Sequence, residues 1–366
     1  MAARRSRLGG ALLFVLVAGC GGNGGGDDGS PGGTATAPAP TPTVSAGRAF
    51  AVGLSGILRS DDGGRTWSAL SEPGYGLVIG VHFVDRMTGW AVSDAGGIFH
   101  TTDGGQTFSN QGQNIVGVER PAFLRDVVFL DAQRGFIVGG EGPVRVPDFT
   151  GPPFVLVTAD AGAHWTPAAI PRGPNPALAK AVLGSVCFTT TGIGLASGGS
   201  ILLLSEDGGA NWQDITDRLP AAAPGAAGKA VCVGEADLWR GLIHSSDGGR
   251  TWVDQSAGAP PDEQRSLGVA AFVDSLTGWA AGHTAPDAPP PILHTTDGGR
   301  NWVAQALPAG TLGGLSAVAF LDRVRGVTVG GYQGAIGFTT QDGGESWVAS
   351  SFPQGAEPLL DLSLVP

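Results

Sequence analysis

One eight-residue pattern recurs seven times along the chain, and it constrains the fold more than any other feature. The pattern is Ser/Thr-x-Asp-Gly-Gly-x-x-Trp, with Phe108 replacing the Trp of the second copy and Ala161 replacing the first Gly of the third. Self-similarity at a spacing of 40 to 57 residues is typical of repeat architectures built from one small structural unit. The aspartates of the pattern are Asp62, Asp103, Asp160, Asp207, Asp247, Asp297 and Asp342.

The chemistry of this pattern is that of a tight turn between two strands. An Asp side chain accepts hydrogen bonds from turn N–H groups, and Gly adopts positive φ without steric cost. The aromatic residue then packs beneath the turn. The pattern resembles the Asp-box, or bacterial neuraminidase repeat, and we therefore expect a structural role for all seven aspartates.

A second pattern, Val-x-Phe-x-Asp-x-x-x-Gly-Trp-x-Val-Gly, precedes the boxes and predicts a further pair of strands, as in residues 81–93 and 318–330. Four strands in each of seven repeats predict an all-β, seven-bladed β-propeller with four-stranded antiparallel blades. The 63 Gly and 26 Pro exclude a helical bundle, because neither residue is tolerated well inside helices.

The ends of the repeat region predict how the ring closes. The first repeat begins in the middle of the pattern at Arg48, without its innermost strand, and residues 359–365 match the missing strand. We therefore expect the C-terminal strand to pair into the first blade, which leaves the ring without a free edge. Residues 48–366 form the predicted propeller domain.

The N-terminal segment indicates an exported lipoprotein. Three Arg residues precede a short apolar run, and Val17-Ala18-Gly19-Cys20 resembles a bacterial lipobox. This predicts a signal peptide over residues 1–19, a lipidated Cys20 and a disordered Gly/Pro/Thr tether over residues 20–47. We expect the protein to be exported and anchored by this lipid to the bacterial cell envelope, on its periplasmic or outer face.

The charge of the chain limits its partners. The formal net charge is −11, and loss of Arg4, Arg5 and Arg7 with the leader lowers it to −14. Such a domain lacks the basic surface of a nucleic-acid-binding protein and is repelled by anionic lipid. We expect no nucleic-acid partner, a membrane contact only through the lipid, and a monomer.

Most chemically conspicuous side chains occupy repeated positions and are expected to be structural. His100, His244 and His294 precede the box in three different blades, too far apart to share a metal ion. Six of the nine Trp are box aromatics that pack within blades. We therefore predict no metal, no cofactor and no catalytic residue.

Cys187 and Cys232 also occupy equivalent positions, in adjacent blades. Export favours a disulfide, but equivalent side chains of neighbouring blades are expected to point the same way around the ring. The expectation is two buried free thiols, with a bridge left open as the alternative.

Residues outside the repeat locate the expected functional surface. The boxes and the turns between the first and second strands of each blade lie on one face, here called the box face. The opposite face, the loop face, carries the irregular connections, and function is expected there. The candidate partner-binding residues on it are Tyr75, Arg120, Arg125, Arg145, Arg172, Lys229 and Tyr332. Arg125 and Lys229 fall in one repeated position at the mouth of the central channel.

Residues 124–131 with 135–139, and residues 83–92, resemble the strand repeats of the photosystem II assembly and stability factors of plants and cyanobacteria. The resemblance extends over residues 48–366. It implies a non-enzymatic propeller that binds a reaction-centre precursor, partly through an arginine-rich surface. Here Arg120, Arg125, Arg145 and Arg172 are the candidates for such a surface, although they do not match that family residue by residue.

These observations predict a non-enzymatic, exported lipoprotein propeller that acts as a protein-binding or assembly scaffold in the cell envelope, with a protein or peptide on the loop face. Two alternatives stay open: a sialidase-like Asp-box glycoside hydrolase and a passive carbohydrate-binding propeller. A sialidase would need an Arg triad and a Tyr–Glu pair, and the only tyrosines are Tyr75 and Tyr332. A xyloglucanase would need a second propeller, which the seven boxes do not provide.

Overall fold

The computed structural model describes residues 47–70, 74, 76–117, 122–142, 151–170, 173–220, 228–260 and 267–366. The expected leader (1–19), Cys20 and the tether up to residue 46 lie outside the described residues, as do Tyr75, Arg120, Arg145 and Arg172. The described ranges contain no helix that is both long enough and apolar enough to cross a membrane.

The described residues form seven antiparallel sheets of four strands each, which confirms the predicted seven-bladed propeller. The innermost strands, which line the axis, are β4 (Val78–Phe83), β8 (Ala122–Phe129), β12 (Ser185–Phe188), β16 (Ala230–Val233), β20 (Leu267–Phe272), β24 (Leu315–Phe320) and β28 (Leu359–Val365). The second strands are β1 (Arg48–Gly53), β5 (Gly89–Ser93), β9 (Gly135–Glu141), β13 (Gly194–Gly198), β17 (Asp237–Arg240), β21 (Gly278–Gly282) and β25 (Gly326–Gly330).

The outer half of each blade is shorter and more exposed. The third strands are β2 (Gly56–Ser60), β6 (Ile98–Thr101), β10 (Pro153–Thr158), β14 (Ile201–Ser205), β18 (Ile243–Ser245), β22 (Ile292–Thr295) and β26 (Ile336–Thr340). The outermost strands are β3 (Ser68–Ala69), β7 (Ser109–Asn110), β11 (Thr166–Pro167), β15 (Gln213–Asp214), β19 (Val253–Asp254), β23 (Val303–Ala304) and β27 (Val348–Ala349). In the described parts of the connections between blades there are four single-turn 3₁₀ helices, at Gly112–Asn114, Pro176–Ala179, Thr216–Arg218 and Ser256–Gly258.

The ring closes through its C-terminal strand. β28 pairs antiparallel with β1, with Arg48 opposite Val365 and Val52 opposite Asp361, so the first blade has the strand order β28-β1-β2-β3. This confirms the predicted closure. Both ends of the described domain lie on the box face. The Gly47 carbonyl accepts a 2.8 Å hydrogen bond from Gly63 N in the first box turn, and the Pro366 carbonyl accepts one of 3.3 Å from Arg86 in the turn between β4 and β5.

Each Asp-box turn is held by the same set of hydrogen bonds, seen clearly in the second blade. The Thr101 hydroxyl donates to Asp103 Oδ1 at 2.8 Å and accepts from Gly105 N at 3.0 Å. Asp103 Oδ1 also accepts from Thr107 N at 2.9 Å. The hydrogen bonds from Thr107 and Thr101 lower the pKa of Asp103 to about 2. In the third box Ala161 replaces Gly and still adopts a φ of 58°.

The blades pack through aromatic layers. Trp90 lies against Phe129 of the next blade, with ring centroids 3.4 Å apart, and it also stacks on His100 at 4.6 Å. The pairs Trp239–His244 and Trp279–His294 repeat the second contact. The three histidines therefore lie in three separate blade interiors, each on its own tryptophan.

The structure corrects the expectation of two free thiols. Cys187 of β12 and Cys232 of β16 form a disulfide, with Cα atoms 5.6 Å apart. The expectation was wrong because it considered only the direction of the side chains around the ring. Innermost strands converge toward the axis, and there equivalent positions of adjacent blades come within the distance, up to about 7 Å, that a disulfide bridges.

Candidate functional site

A cavity of about 580 Å³ opens on the loop face at the mouth of the central channel. Among the described residues, four basic side chains line it: Arg125, Lys180, Lys229 and Arg240. The whole chain has only 21 Lys and Arg against 32 Asp and Glu. The cavity therefore concentrates positive charge in an acidic protein.

A repeated backbone irregularity directs residues into this cavity. In β8 the pairing with β9 shifts between Leu124 and Asp126, so Arg125 is the extra residue of a β-bulge. Ile79 and Leu360 occupy the same position in β4 and β28, and both also line the cavity. A bulge re-aims side chains at the rim of a closed sheet, which explains how one repeated position surrounds the channel mouth.

Two carboxylates and one ammonium group from three different blades meet below this mouth. Lys229 Nζ donates a short hydrogen bond to Asp361 Oδ1 across the axis. Asp126 interacts electrostatically with both Lys229 and Asp361. Lys229 retains 32% exposure of its side chain, whereas Asp361 retains 9%. Lys229 therefore connects the axial charges to the cavity.

The axial carboxylates also satisfy backbone groups that the propeller leaves without ladder partners. An innermost strand has one edge facing the axis, where its N–H groups have no neighbouring strand. Asp361 Oδ2 accepts from Val81 N at 3.0 Å, and Asp126 Oδ2 accepts from Val186 N at 3.0 Å. Asp126 Oδ1 accepts from Val127 N at 2.9 Å. Each carboxylate thus joins its own blade to the next one.

Burial makes the protonation of this cluster unusual. Desolvation raises the pKa of Asp126 to about 7, and the negative charge of Asp361 adds to the rise while Lys229 opposes it. For Lys229, desolvation lowers the pKa, but the charges of Asp361 and Asp126 outweigh it and leave the pKa above its usual value. Burial lowers the pKa of His82, on β4 near Asp361, to about 4.

The remaining basic side chains are held by the cavity wall. The Arg125 guanidinium lies 4.3 Å from the centroid of the Phe123 ring, and burial lowers the pKa of Arg125. Arg240 is 1% exposed and donates to the Gly199 carbonyl, and burial lowers its pKa to about 10. Both remain cationic at neutral pH, so the wall is positively charged throughout the physiological range.

Sequence reasoning missed Arg240, although a signal for it exists. In β17, Arg240 pairs with Ile243 of β18, the residue two positions before the box serine Ser245. The equivalent residues in the other six blades are uncharged: Ala51, Ala91, Ile137, Ala196, Ala280 and Thr328. A charged residue in a repeated position that is uncharged in the other six blades marks a departure from the pure packing role, and it occurs in the fifth blade.

The structure brings together only some of the candidate residues. Arg125 and Lys229 line the same cavity, whereas Tyr332 lies elsewhere on the loop face and donates from its hydroxyl to the Thr284 carbonyl at 2.7 Å. A separate cavity of about 450 Å³ is bounded there by Thr284, Pro289–Pro291 and Leu312. Tyr75, Arg120, Arg145 and Arg172 fall outside the described residues, and their expected roles remain predictions.

The closed ring, the repeated box turns and the loop-face cavity define an Asp-box β-propeller. The family model for the BNR/Asp-box repeat matches residues 58–69. The family model for the photosynthesis system II assembly factor YCF48 matches residues 232–355. The chain is thus an Asp-box propeller that resembles the photosystem II assembly factor family.

A curated relative supports the same resemblance. The chain is 32% identical over 191 residues to the photosystem II assembly lipoprotein Ycf48 of Synechococcus sp. (strain CC9902). The match spans 49% of this chain and 53% of the relative, so the chain matches about half the relative's length.

Solved structures share the fold at low sequence identity. A structure of YCF48 bound to a D1 peptide is 19% identical, with a TM-score of 0.50, over 76% of this chain and 83% of that one. YCF48 from Cyanidioschyzon merolae is 17% identical, with a TM-score of 0.52, over 80% and 90%. A GH74 xyloglucanase from Xanthomonas campestris is 19% identical, with a TM-score of 0.56, over 77% and 46%. These likenesses extend to the fold alone.

Proposed function

We propose that this protein is a non-enzymatic assembly scaffold that binds a protein or peptide through the cavity on its loop face. The observation that carries the proposal is the concentration of Arg125, Lys180, Lys229 and Arg240 around one cavity of an acidic domain. Arginine and lysine at such a mouth favour carboxylates, because a guanidinium binds a carboxylate through two parallel hydrogen bonds. The ligand class is therefore an acidic peptide segment or a C-terminal carboxylate.

The similar proteins support this reading of the cavity. The curated relative is named for photosystem II assembly, and one structure of similar fold is described as bound to a D1 peptide. Peptide capture by an assembly factor needs a binding surface and no reactive group. The axial carboxylates fit that role, because all four of their oxygens accept hydrogen bonds from backbone N–H groups or from Lys229.

The same proposal includes export and anchoring through Cys20. The lipobox-like segment precedes the propeller, and the relative is named a lipoprotein. The Cys187–Cys232 disulfide agrees with an oxidising compartment, since disulfides persist outside the reducing cytosol. Replacing Cys20 by Ser should release the protein from membranes or block processing; unchanged retention would contradict this part.

The binding proposal is tested with overlapping synthetic peptides that tile the D1 protein, measured by calorimetry against the full chain. We expect at least one peptide to bind, and Arg125→Ala and Lys180→Ala to weaken that binding about tenfold each. That factor corresponds to the loss of one charge-assisted hydrogen bond of about 1.5 kcal/mol. The matched controls are Arg65→Ala and Arg300→Ala, which remove the same charge from the box face. The proposal would be contradicted if the loop-face and box-face variants lost the same amount of affinity, or if no peptide bound.

A further inference from the structure

The axial cluster contains more negative than positive charge, and it lies directly beneath the cationic cavity. Lys229 is the one residue that belongs to both, because it lines the cavity and pairs with Asp361. Asp126 follows the cavity-lining Arg125 in β8 and interacts with the same ammonium group. Any change in the charge of Asp126 therefore changes the potential that a ligand in the cavity meets.

The charge balance decides the direction of this effect. When Asp126 is ionised, two carboxylates offset Lys229, and an anion entering the cavity is repelled by the excess negative charge. When Asp126 is protonated, Asp361 alone offsets Lys229, and the attraction of the cavity for an anion rises. Such interactions are strong because neighbouring groups are partly removed from water and are screened less than surface charges.

We propose that Asp126 is a proton-operated regulator of the loop-face cavity, such that its protonation strengthens the binding of an anionic peptide. The inference rests on the proposed function, because it names how the same cavity is controlled. Its consequence is a partner captured more tightly on the acidic side of neutrality and released as the pH rises.

Asp126 is the group of the axial cluster whose charge changes near neutral pH, because the groups around it keep their charge state there. Lys229 and Asp361 act electrostatically on Asp126, and His82 interacts with Asp361. The neighbouring Arg125 lines the cavity and interacts with Asp94. Lys229 and Arg125 remain cationic in this range, and burial, which lowers the pKa of His82 to about 4, keeps that imidazole neutral. From β12, Ser185 presents a hydroxyl and Cys187 is in the disulfide. The raised pKa of Asp126, about 7, lies between pH 6.0 and pH 8.0, the two values at which binding is compared below.

The test measures the binding of N-acetyl-tetraglutamate with a free C-terminus to the full chain, by calorimetry at pH 6.0 and pH 8.0. We expect binding at least fivefold tighter at pH 6.0, the lower bound of common coupling strengths. Asp126→Asn should bind equally at both values, with the affinity of the wild type at pH 6.0. The matched control is His164→Asn on the box face, which places there the residue found in the boxes of Asn211 and Asn301, and it should keep the pH dependence.

A second measurement tests the proposal even where Asp126→Asn does not fold. Calorimetry of the wild type at pH 7.0, in buffers of different ionisation enthalpy, should reveal net uptake of a fraction of a proton per peptide bound, because Asp126, with a pKa of about 7, is already partly protonated in the free protein. Binding without proton uptake or pH dependence overturns the inference and leaves the proposed function intact, as does an Asp126→Asn variant that retains the dependence. An absence of binding at both pH values overturns the anionic ligand class of the proposed function, and the inference with it.

Discussion

Side chains of one type, aspartate, have opposite electrostatic environments in this protein. In the boxes, hydrogen bonds from the turn stabilise the ionised carboxylate and lower the pKa to about 2 at Asp103, Asp160, Asp207 and Asp342. In the channel, desolvation raises the pKa of Asp126 to about 7. The box aspartates and Asp126 therefore change the free energy of unfolding in opposite directions as the pH rises.

The box aspartates predict acid sensitivity. A group with a lowered pKa in the folded state stabilises the fold above its unfolded pKa, near 3.8, and this contribution is lost as the pH falls toward 2. We expect the urea midpoint to fall between pH 4 and pH 2, and Asp103→Asn to reduce that slope because it removes one titrating group. If the urea midpoint of this variant falls as steeply between pH 4 and pH 2 as that of the wild type, the hydrogen bonds to Asp103 do not cause the loss of stability in acid.

Asp126 predicts the reverse dependence at higher pH. Its raised folded pKa favours the protonated form, so its contribution to stability is greatest below pH 4 and declines as the pH rises through about 7. We expect Asp126→Asn to flatten the decrease in the urea midpoint between pH 5 and pH 8. A variant with the slope of the wild type would place the titrating group elsewhere.

The Lys229–Asp361 pair predicts a measurable coupling. Lys229→Met leaves a buried carboxylate without its cation, which costs about 3–5 kcal/mol for fully buried pairs. Because Lys229 is about one-third exposed, we expect a smaller loss in the free energy of unfolding, about 2 kcal/mol. The double variant Lys229→Met/Asp361→Asn should recover part of it, and strictly additive losses in the double-mutant cycle would contradict a direct interaction.

At the scale of strands and turns, most of the fold could be predicted from the sequence because it depends on a local pattern repeated seven times. The box residues specify their turn within eight positions, and the half-repeat at Arg48 together with residues 359–365 specified the closure. What the sequence did not specify depends on the approach of separate blades at the axis. The Cys187–Cys232 disulfide and the cavity position of Arg240 both arise there, because the repeat aligns positions of different blades without giving the distances between them.

The disulfide predicts a stabilised seam between the fourth and fifth blades. It joins innermost strands across 45 residues of sequence, and crosslinks that close such loops add about 2–4 kcal/mol. We expect Cys187→Ala/Cys232→Ala to lower Tm by several degrees and to remove the effect of reducing agents on Tm. The wild type should lose a similar amount of stability on reduction, whereas a wild type insensitive to reductant would contradict the bridge.

The C-terminal strand predicts an all-or-none effect of truncation. Deleting residues 359–366 removes the strand that pairs with β1 and takes Asp361 from the axial cluster with it. We expect loss of the cooperative thermal transition, because the open edge of β1 and the apolar channel wall are then exposed. A truncated protein that melts within a few degrees of the wild type would contradict the role of β28 in closing the ring.

The whole molecule separates a structural face from a face suited to binding. On the box face the aspartates are used by turn hydrogen bonds, and the aromatics that follow them are packed between blades. On the loop face the bulged innermost strands and the irregular connections surround a cationic cavity. This separation could be predicted from the sequence as a division between repeated and unrepeated segments. The cavity itself required the structure, since Arg125 comes from the third blade, Lys229 and Arg240 from the fifth, and Lys180 from the connection between the third and fourth blades.

Site-specific photo-crosslinking tests the binding face most directly. The photoreactive residue benzoylphenylalanine is placed by Leu360→benzoylphenylalanine in the cavity wall, and separately by Val324→benzoylphenylalanine at an exposed turn of the box face. Each full-length variant is irradiated with the peptide that binds most tightly in the calorimetric screen, and the adducts are quantified by mass spectrometry. The loop-face account predicts crosslinking from position 360 and none above background from position 324. Crosslinking from position 324 alone would contradict it.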